Sequence, residues 1–140
     1  MHDPNCVFCK IVKGEIPAYK VYEDTHVLAF LDAKQITAGH TLVIPKDHYD
    51  NFMSVPQVRL HNVMDVVQKI GQIQVRRLLA RGVNIISNAG EIAGQSVMHF
   101  HIHVIPRYDV GDGFRITMLE KDQKVELNLP SIASKLKIDE

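Results

Sequence analysis

A helical hydrophobic period dominates the middle of the chain. Apolar residues spaced by three and four would lie on one face of a helix that packs on the core. They are Leu60, Val63, Met64, Val67, Ile70 and Ile73. Ser54 and Gln57 fit a capping box at the start of this helix, and Arg81-Gly82 marks its expected end. The spacing therefore predicts one long, core-facing helix.

Short apolar or alternating runs, typical of β-strands, surround this helix. They cover residues 19–23, 26–32, 41–46, 83–87 and 96–106, and the first two predict a hairpin. Residues 6–14 predict a short helix or turn that ends at Gly14. The fold class expected is α+β, an antiparallel sheet of about five strands with one long helix and a short N-terminal helix.

The pattern weakens after residue 110. Residues 124–129 are compatible with a strand, and residues 131–138 with a short helix after Pro130. The chain has 140 residues and shows no repeat or linker, so we expect a single domain over 1–140. Its core would span about 5–110, and 111–140 would be a C-terminal extension.

Charge and composition narrow the function classes. Sixteen basic and sixteen acidic residues balance, so no overall field would attract nucleic acid or an anionic membrane. No apolar run approaches the roughly 18 residues of a membrane-spanning helix. The first ten residues lack the layout of a signal peptide, which predicts a cytoplasmic location. The unusual feature is eight histidines.

Three of these histidines alternate with apolar residues in the last predicted strand. Because strand side chains alternate between faces, His99, His101 and His103 would share one face and open to a cleft. The apolar residues at 98, 100, 102 and 104 would pack on the long helix. Two interpretations remain open from this pattern alone, metal ligation and nucleophilic or acid–base chemistry.

The loop before this strand is rich in glycine and neutral donors. At Gly90 and Gly94, backbone N–H groups could approach an anion with no Cβ in the way. Asn88, Gln95 and Ser96 add side-chain donors. A phosphate could bind here, although the glycines could equally serve only to form the turn between two strands.

Cys6 and Cys9 form a Cys-x-x-Cys pair with the spacing of a zinc knuckle. Structural zinc is four-coordinate, so the pair needs two further ligands. The natural candidates are His48 and one histidine of the strand face. A single pair in a short chain is a weak signal for zinc when taken alone.

Together these residues resemble a known family. The run His-Phe-His-Ile-His-Val-Ile at 99–105 matches the motif of the histidine-triad (HIT) superfamily of nucleotide hydrolases and transferases. Residues 6–24, 27–48 and 93–107 resemble its small bacterial Hint-like branch. The resemblance covers about residues 5–108 and implies the HIT-like fold.

The resemblance also implies catalytic roles. His101 corresponds to the nucleophile that attacks an α-phosphate and becomes nucleotidylated. His103 corresponds to a histidine that contacts the phosphate and helps hold the tautomer of the nucleophile. His40 matches a further histidine that lies close to these two.

Binding roles follow from the same resemblance. Asp32 matches the residue that holds the ribose hydroxyls, and Phe8 and Ile11 match positions that line a purine pocket. Phosphate and leaving-group contacts fall on Asn88, Gly94, Gln95 and Ser96. One structural zinc per chain would be bound by Cys6, Cys9, His48 and His99. Small members pair through the long helix and a strand, which implies a homodimer with a ten-stranded sheet.

The leading hypothesis is an enzyme that cleaves purine nucleotide conjugates at the α-phosphate and releases a nucleoside monophosphate. The conjugates would be nucleoside phosphoramidates or dinucleoside polyphosphates, and the intermediate a nucleotidyl-histidine. A second hypothesis is a nucleotide-binding sensor or interaction module with incidental turnover. A third is a catalytic metal site formed by His99, His101 and His103.

Overall fold

A computed structural model describes residues 2–119 and 127–139. Its strands are β1 (Lys20–Glu23), β2 (Val27–Leu31), β3 (Thr41–Pro45), β4 (Gly82–Ile86) and β5 (Ile102–Arg107). Its helices are α1 (Val7–Val12), α2 (Gln57–Leu78) and α3 (Leu129–Leu136), with 3₁₀ turns at Phe52–Ser54 and Glu91–Ala93. The predicted hairpin corresponds to β1 and β2, which pair antiparallel.

The five strands form one antiparallel sheet in the order β1-β2-β3-β5-β4. Both of its faces are covered in the centre. Val27 and Ala29 of β2 face the core beneath α2, whereas Leu28 and Phe30 face the core beneath α1. This explains why β2 and β3 are continuous apolar runs, since residues of both parities are buried. The predicted α+β class, with five strands and one long helix, is confirmed.

The long helix follows its predicted stripe but differs at both ends. Ser54 and Gln57 do not cap it, because its N-cap is Pro56, which has no side-chain cap bond. Ser54 instead completes a capping box with Asn51 on the preceding 3₁₀ turn. The helix ends at Leu78, before the predicted end, because Leu79 adopts a left-handed conformation with φ 62°. That reversal directs the chain into β4.

The last strand is shorter than predicted. It begins at Ile102, because the preceding residues bond to other elements rather than to a neighbouring strand: the N–H of Phe100 donates to the carbonyl of Tyr49 at 2.6 Å. Phe100 still packs in the core beneath α2 with Ile102. Met98, however, is exposed, so its predicted place in the core is wrong.

The C-terminal residues form a helix earlier than expected. Helix α3 begins at Leu129, with Asn128 accepting a hydrogen bond from the N–H of Ser131 at 3.1 Å. The strand predicted over 124–129 lies partly outside the described residues, and its last residue belongs to α3. Among the described residues, no helix has both the length and the apolarity needed to span a bilayer.

Candidate functional site

Four metal-ligand side chains meet at the start of α1. Cys6 is the N-cap of this helix, and its Sγ accepts a hydrogen bond from the N–H of Cys9 at 3.3 Å, so both thiols face the same side. His48 follows β3, and His99 precedes β5. One donor atom from each of the four residues lies within 4.8 Å of all the others. We call this set the Cys2His2 group.

The distances and the chemistry of the Cys2His2 group fit a zinc ion. Nδ1 of His99 lies 3.3 Å from Sγ of Cys6 and 3.6 Å from Sγ of Cys9. Nδ1 of His48 lies 3.5 Å from Sγ of Cys9. Tetrahedral zinc, with bonds of about 2.3 Å to sulfur and 2.0 Å to nitrogen, separates such ligands by about 3.5 Å.

The outer ring nitrogens fix the tautomers that this group needs. Nε2 of His99 donates a hydrogen bond to the carbonyl of Pro45 at 2.9 Å. Nδ1 is therefore unprotonated, and its lone pair faces the thiols. Nε2 of His48 lies 3.1 Å from Oδ1 of Asp50. Burial lowers the pKa of His99 to about 4, so its ring is neutral at pH 7. Carbonyl and carboxylate partners of this kind commonly orient metal-bound histidines.

His101 has the opposite ring orientation. Its Nδ1 donates to the carbonyl of His99 at 2.7 Å, and its own carbonyl accepts a hydrogen bond from Ser87 Oγ at 2.8 Å. Among the described residues, Nε2 of His101 has no hydrogen-bond partner. Burial lowers the pKa of this ring, so at neutral pH Nε2 carries a free lone pair. The ring of Phe8 contacts it edge-on, with centroids 5.1 Å apart.

His40 and His103 form a second pair of histidines, which we call the relay. The hydrogen bond between them has a defined direction. Nδ1 of His40 accepts a hydrogen bond from the N–H of Ile36 at 3.3 Å, so the proton of His40 resides on Nε2. That Nε2 lies 2.9 Å from Nδ1 of His103 and donates to it. His103 must then carry its own proton on Nε2. Burial lowers the pKa of both rings, that of His103 to about 4, so both are neutral at pH 7.

The glycine-rich loop uses most of its donors internally. The amide of Gln95 accepts from the N–H of Gly90 at 2.8 Å and donates to the carbonyl of Asp50 at 2.7 Å, so this buried side chain braces the loop. The N–H of Gly94 donates to the carbonyl of Glu91. Neither glycine N–H is therefore directed at an anion. The exposed Ser96 keeps its hydroxyl available at the end of the loop.

Comparison with known proteins agrees with this geometry. The sequence profile described as "HIT domain" matches residues 13–110. The chain belongs to the HIT family. A crystal structure of a HIT family protein from Bacillus anthracis superposes with a TM-score of 0.86 at 45% identity, covering 95% of both chains.

Two further similar proteins have a described metal or activity of their own. A Zn-bound histidine triad family protein from Mycobacterium smegmatis is 39% identical, covers 86% of each chain and has a TM-score of 0.74. An adenosine 5'-monophosphoramidase from Candida albicans is 36% identical over 116 residues, which are 80% of this chain and 76% of that protein. The chain described here thus has the fold of nucleotide-binding histidine triad proteins.

Within this HIT chain, two of the residues expected to contact the nucleoside, Asp32 and Phe8, lie beside the relay and His101 respectively. Oδ2 of Asp32 lies 3.6 Å from Nε2 of His40, and its Oδ1 accepts from the N–H of Lys34 at 2.8 Å. Phe8 and Ile11 are both buried in the core beneath α1. The ring of Phe8 is perpendicular to that of His101, with the two ring centroids 5.1 Å apart.

Two groups of side chains among the described residues could hold a metal ion. They argue against the third hypothesis, a catalytic metal site formed by the three strand histidines. One is the Cys2His2 group, and the other is formed by Asp32, His40 and His103. Neither includes His101, and His99 directs its free Nδ1 toward the thiols. The three strand histidines therefore do not converge on one ion.

A wide apolar cleft of about 820 Å³ lies elsewhere, between Ile73 of α2 and Val21 of β1.

Sequence reasoning missed two residues that position the site. Ser87 holds the carbonyl of His101, and nothing in the sequence distinguishes it from an ordinary loop serine. Gln74 is buried, and its Nε2 donates to the carbonyls of Gly39 and Val104 at 3.1 and 2.9 Å. Here a signal existed, because Gln74 lies one turn after Ile70 and so is an amide on the apolar stripe of the helix.

Proposed function

We propose that the protein cleaves purine nucleotide conjugates at the α-phosphate through a nucleotidyl-His101 intermediate. The substrates would be nucleoside phosphoramidates or dinucleoside polyphosphates, and the product a nucleoside monophosphate. The observation that carries the proposal is the ring of His101, which is neutral and holds Nδ1–H on the carbonyl of His99, leaving Nε2 as a free nucleophile.

The reaction divides into two displacements. Nε2 of His101 forms a bond to the α-phosphorus while the bond from phosphorus to the leaving group breaks, and the leaving group departs with a proton taken from solvent. Water then attacks phosphorus, the P–Nε2 bond breaks, and the proton of that water returns to solvent. Nucleoside monophosphate is released and the neutral imidazole is restored.

His103 would stabilise the phosphoryl group during both steps. The relay places its proton on Nε2, where it can donate to a non-bridging oxygen. The hydroxyl of Ser96 would contact the phosphate or the leaving group, and Gly94 would allow close approach of the chain. Asn88, whose Nδ2 donates to the carbonyl of Gly94 at 3.4 Å, and Gln95 would act by holding that loop.

The nucleoside would be bound by Asp32, Phe8 and Ile11. Asp32 would accept hydrogen bonds from the ribose hydroxyls through its carboxylate oxygens. Phe8 and Ile11 would provide apolar contacts to the purine. These roles are supported by the contact between Phe8 and His101 and by the short distance between Asp32 and His40.

We propose that the Cys2His2 group binds one structural zinc ion per chain. Cys6, Cys9, His48 and His99 would all be ligands, and a closed four-ligand site leaves no position for substrate. The ion would link α1 to the segments after β3 and before β5, which hold the residues around His101. The ion would stabilise the fold as a cross-link and would not act as a Lewis acid in the reaction.

We also propose a homodimer in which α2 and β4 pair with the same elements of a second copy, joining two sheets into one of ten strands. Support comes from β4, which is an edge strand, and from the exposed apolar side chains of Val75 and Ile85 beside it. Sedimentation should give a dimer that Ile85→Lys weakens and Ile92→Lys, on a distant loop, does not. A monomeric wild-type chain would refute the proposal. The cytoplasmic location and the single domain stay predictions.

The decisive experiment traps the intermediate. Zinc-loaded protein is mixed with adenosine 5'-phosphoramidate labelled in the phosphate and quenched in alkali, where phosphohistidine bonds persist. The wild-type chain and His61→Ala, which changes an exposed histidine of α2, should give a labelled adduct. His101→Ala should give none. An adduct of equal yield in His101→Ala would refute the assignment of the nucleophile.

A substrate panel then separates turnover from binding. The values of kcat/KM are compared for phosphoramidates, dinucleoside polyphosphates and adenylated metabolites, with Kd measured for the same compounds. Release of nucleoside monophosphate well above background from any of them supports the enzyme. Tight binding with turnover at background for all three would instead favour the sensor module.

A further inference from the structure

The segment after β5 folds back on itself around one arginine. Nε and an NH2 group of Arg107 donate to Oδ1 and to the backbone carbonyl of Asp112, at 2.7 and 2.6 Å. The same NH2 group donates to the carbonyl of Phe114 at 2.8 Å, and the guanidinium lies 4.6 Å from the centre of that ring. We call residues 107–114 the arginine turn. The sequence pattern assigned it no role.

The arginine turn is fixed to the sheet as well as to itself. The remaining NH group of Arg107 donates to Oδ1 of Asn84 on β4 at 2.8 Å. Oδ2 of Asp112 accepts from the N–H of Tyr108 at 2.7 Å. Because a bidentate, stacked guanidinium has little freedom, this turn is a rigid extension of β5.

The face of the arginine turn contacts the loop that carries His40. Gly113 has φ +65°, and a Cβ there would lie 2.8 Å from the methyl groups of both Ile36 and Thr37. Two hydrogen bonds add to this contact, from Thr37 Oγ1 to the carbonyl of Pro106 and from the Tyr108 hydroxyl to the carbonyl of Ala38. The loop is therefore packed against the arginine turn so tightly that a Cβ at Gly113 would not fit.

Ile36 connects this contact to the site. Its side chain packs against Gly113, while its N–H donates to Nδ1 of His40. That hydrogen bond, together with Oδ2 of Asp32 at 3.6 Å from Nε2 of His40, favours the proton of His40 on Nε2, and His103 then keeps its own proton on Nε2. A shift of Ile36 by a few tenths of an ångström would weaken the hydrogen bond on which this order depends.

We infer that the arginine turn is a positioning element for the reaction, acting through Ile36 and His40 to present the Nε2–H of His103 to the phosphate. Gly113 and Thr37 are its positioning residues. The inference rests on the proposed function for its catalytic consequence, but the tautomer of His103 can be measured without any substrate.

The test uses two glycines of the same turn. Gly113→Ala forces a Cβ against Ile36 and Thr37, whereas Gly111→Ala adds one where nothing lies within 4 Å. In holoprotein acting on adenosine 5'-phosphoramidate, Gly113→Ala should lower kcat about tenfold with KM nearly unchanged. Gly111→Ala should match the wild type. Nitrogen-15 spectra of the imidazoles should show a single His103 tautomer in the wild type and a mixture in Gly113→Ala.

A second pair of variants keeps the inference testable if Gly113→Ala does not fold. Thr37→Val retains the shape but removes the hydroxyl that donates to Pro106, and Thr37→Ser restores that hydroxyl. Thr37→Val should lose rate and the single tautomer, and Thr37→Ser should recover both.

A wild-type kcat and one His103 tautomer in Gly113→Ala, or in Thr37→Val where the former does not fold, would overturn the inference. So would an equal loss of rate in Gly111→Ala. If wild-type protein shows no turnover, the proposed function fails, and the tautomer spectra alone decide on the arginine turn.

Discussion

His99 and His101 lie two positions apart and both contact Phe8, yet they use opposite ring nitrogens. His99 donates from Nε2 to Pro45 and leaves Nδ1 free toward two thiols. His101 donates from Nδ1 to the carbonyl of His99 and leaves Nε2 free. Both rings are buried and neutral, so burial does not separate them.

The difference lies in which backbone carbonyl each ring meets. A carbonyl can only accept, so it decides which nitrogen keeps the proton and which keeps the lone pair. For His99 that carbonyl belongs to β3, and for His101 it belongs to the residue two positions earlier. In the proposed function, one residue type would thereby serve as a metal ligand at His99 and as a nucleophile at His101, and the two roles can be tested separately.

The largest effect should come from removing the metal side of this comparison. Cys6→Ser combined with Cys9→Ser should abolish zinc binding and lower the free energy of unfolding by at least about 3 kcal/mol, because the proposed ion would cross-link three segments. Elemental analysis and denaturant unfolding measure the two quantities. His101→Ala should keep its zinc and lose less stability than the cysteine variant, although it forms no adduct.

Three outcomes would break this comparison. If His101→Ala loses zinc, the two histidines do not have separate roles. If the purified wild-type chain contains no zinc, the metal assignment fails. If chelation abolishes activity while the protein stays fully folded, the ion is catalytic rather than structural.

The fold followed from sequence where local pattern decides it. The apolar spacing from Val63 to Ile70 places α2 on the sheet, and the β-rich runs place the five strands. The start of β5 could not be predicted, because it depends on a hydrogen bond between Phe100 and Tyr49, which are far apart in sequence. The same holds for the helix end, where Leu79 takes a conformation that favours glycine.

The candidate site divides in the same way. Ligand type and spacing pointed to Cys6, Cys9, His48 and one histidine of the strand face, and the resemblance to the HIT family selected His99. The structure brings these four residues together. The tautomers could not be predicted, because they depend on carbonyls that only the folded chain supplies. Gln95 illustrates the limit: its type suggests a phosphate contact, but its amide is already engaged with Gly90 and Asp50.

An intermediate effect should come from changing His103, which tests the relay rather than the nucleophile. His103→Asn retains an acceptor near the position of Nδ1 for His40 but removes the donor at Nε2, so kcat should fall about 10- to 100-fold. His103→Gln places an amide near the position of Nε2 and should lose less. Zinc content should be unchanged in both. Equal rates for the two variants would show that the donor at Nε2 does not matter.

The smallest predicted effect is a change in the pH dependence of stability. It tests the protonation of His103 in the relay separately from protonation of the proposed zinc ligands. The ring of His103 faces His40, His101 and Asp32, and burial lowers its pKa to about 4, below the 6.5 of an unfolded histidine. Between these values the unfolded chain binds a proton that the folded chain does not, so the free energy of unfolding falls as pH drops from 6.5 toward 4.

Because the ring is partly exposed, solvent screening should reduce the contribution of His103 to about 1 kcal/mol. Denaturant unfolding at several pH values, compared between wild type and His103→Asn, isolates this contribution, since any protonation of the zinc ligands is common to both proteins. The variant should have the flatter pH dependence. Parallel curves would mean that His103 titrates normally in the folded protein, and the relay would then be too solvated to hold its proton on one nitrogen.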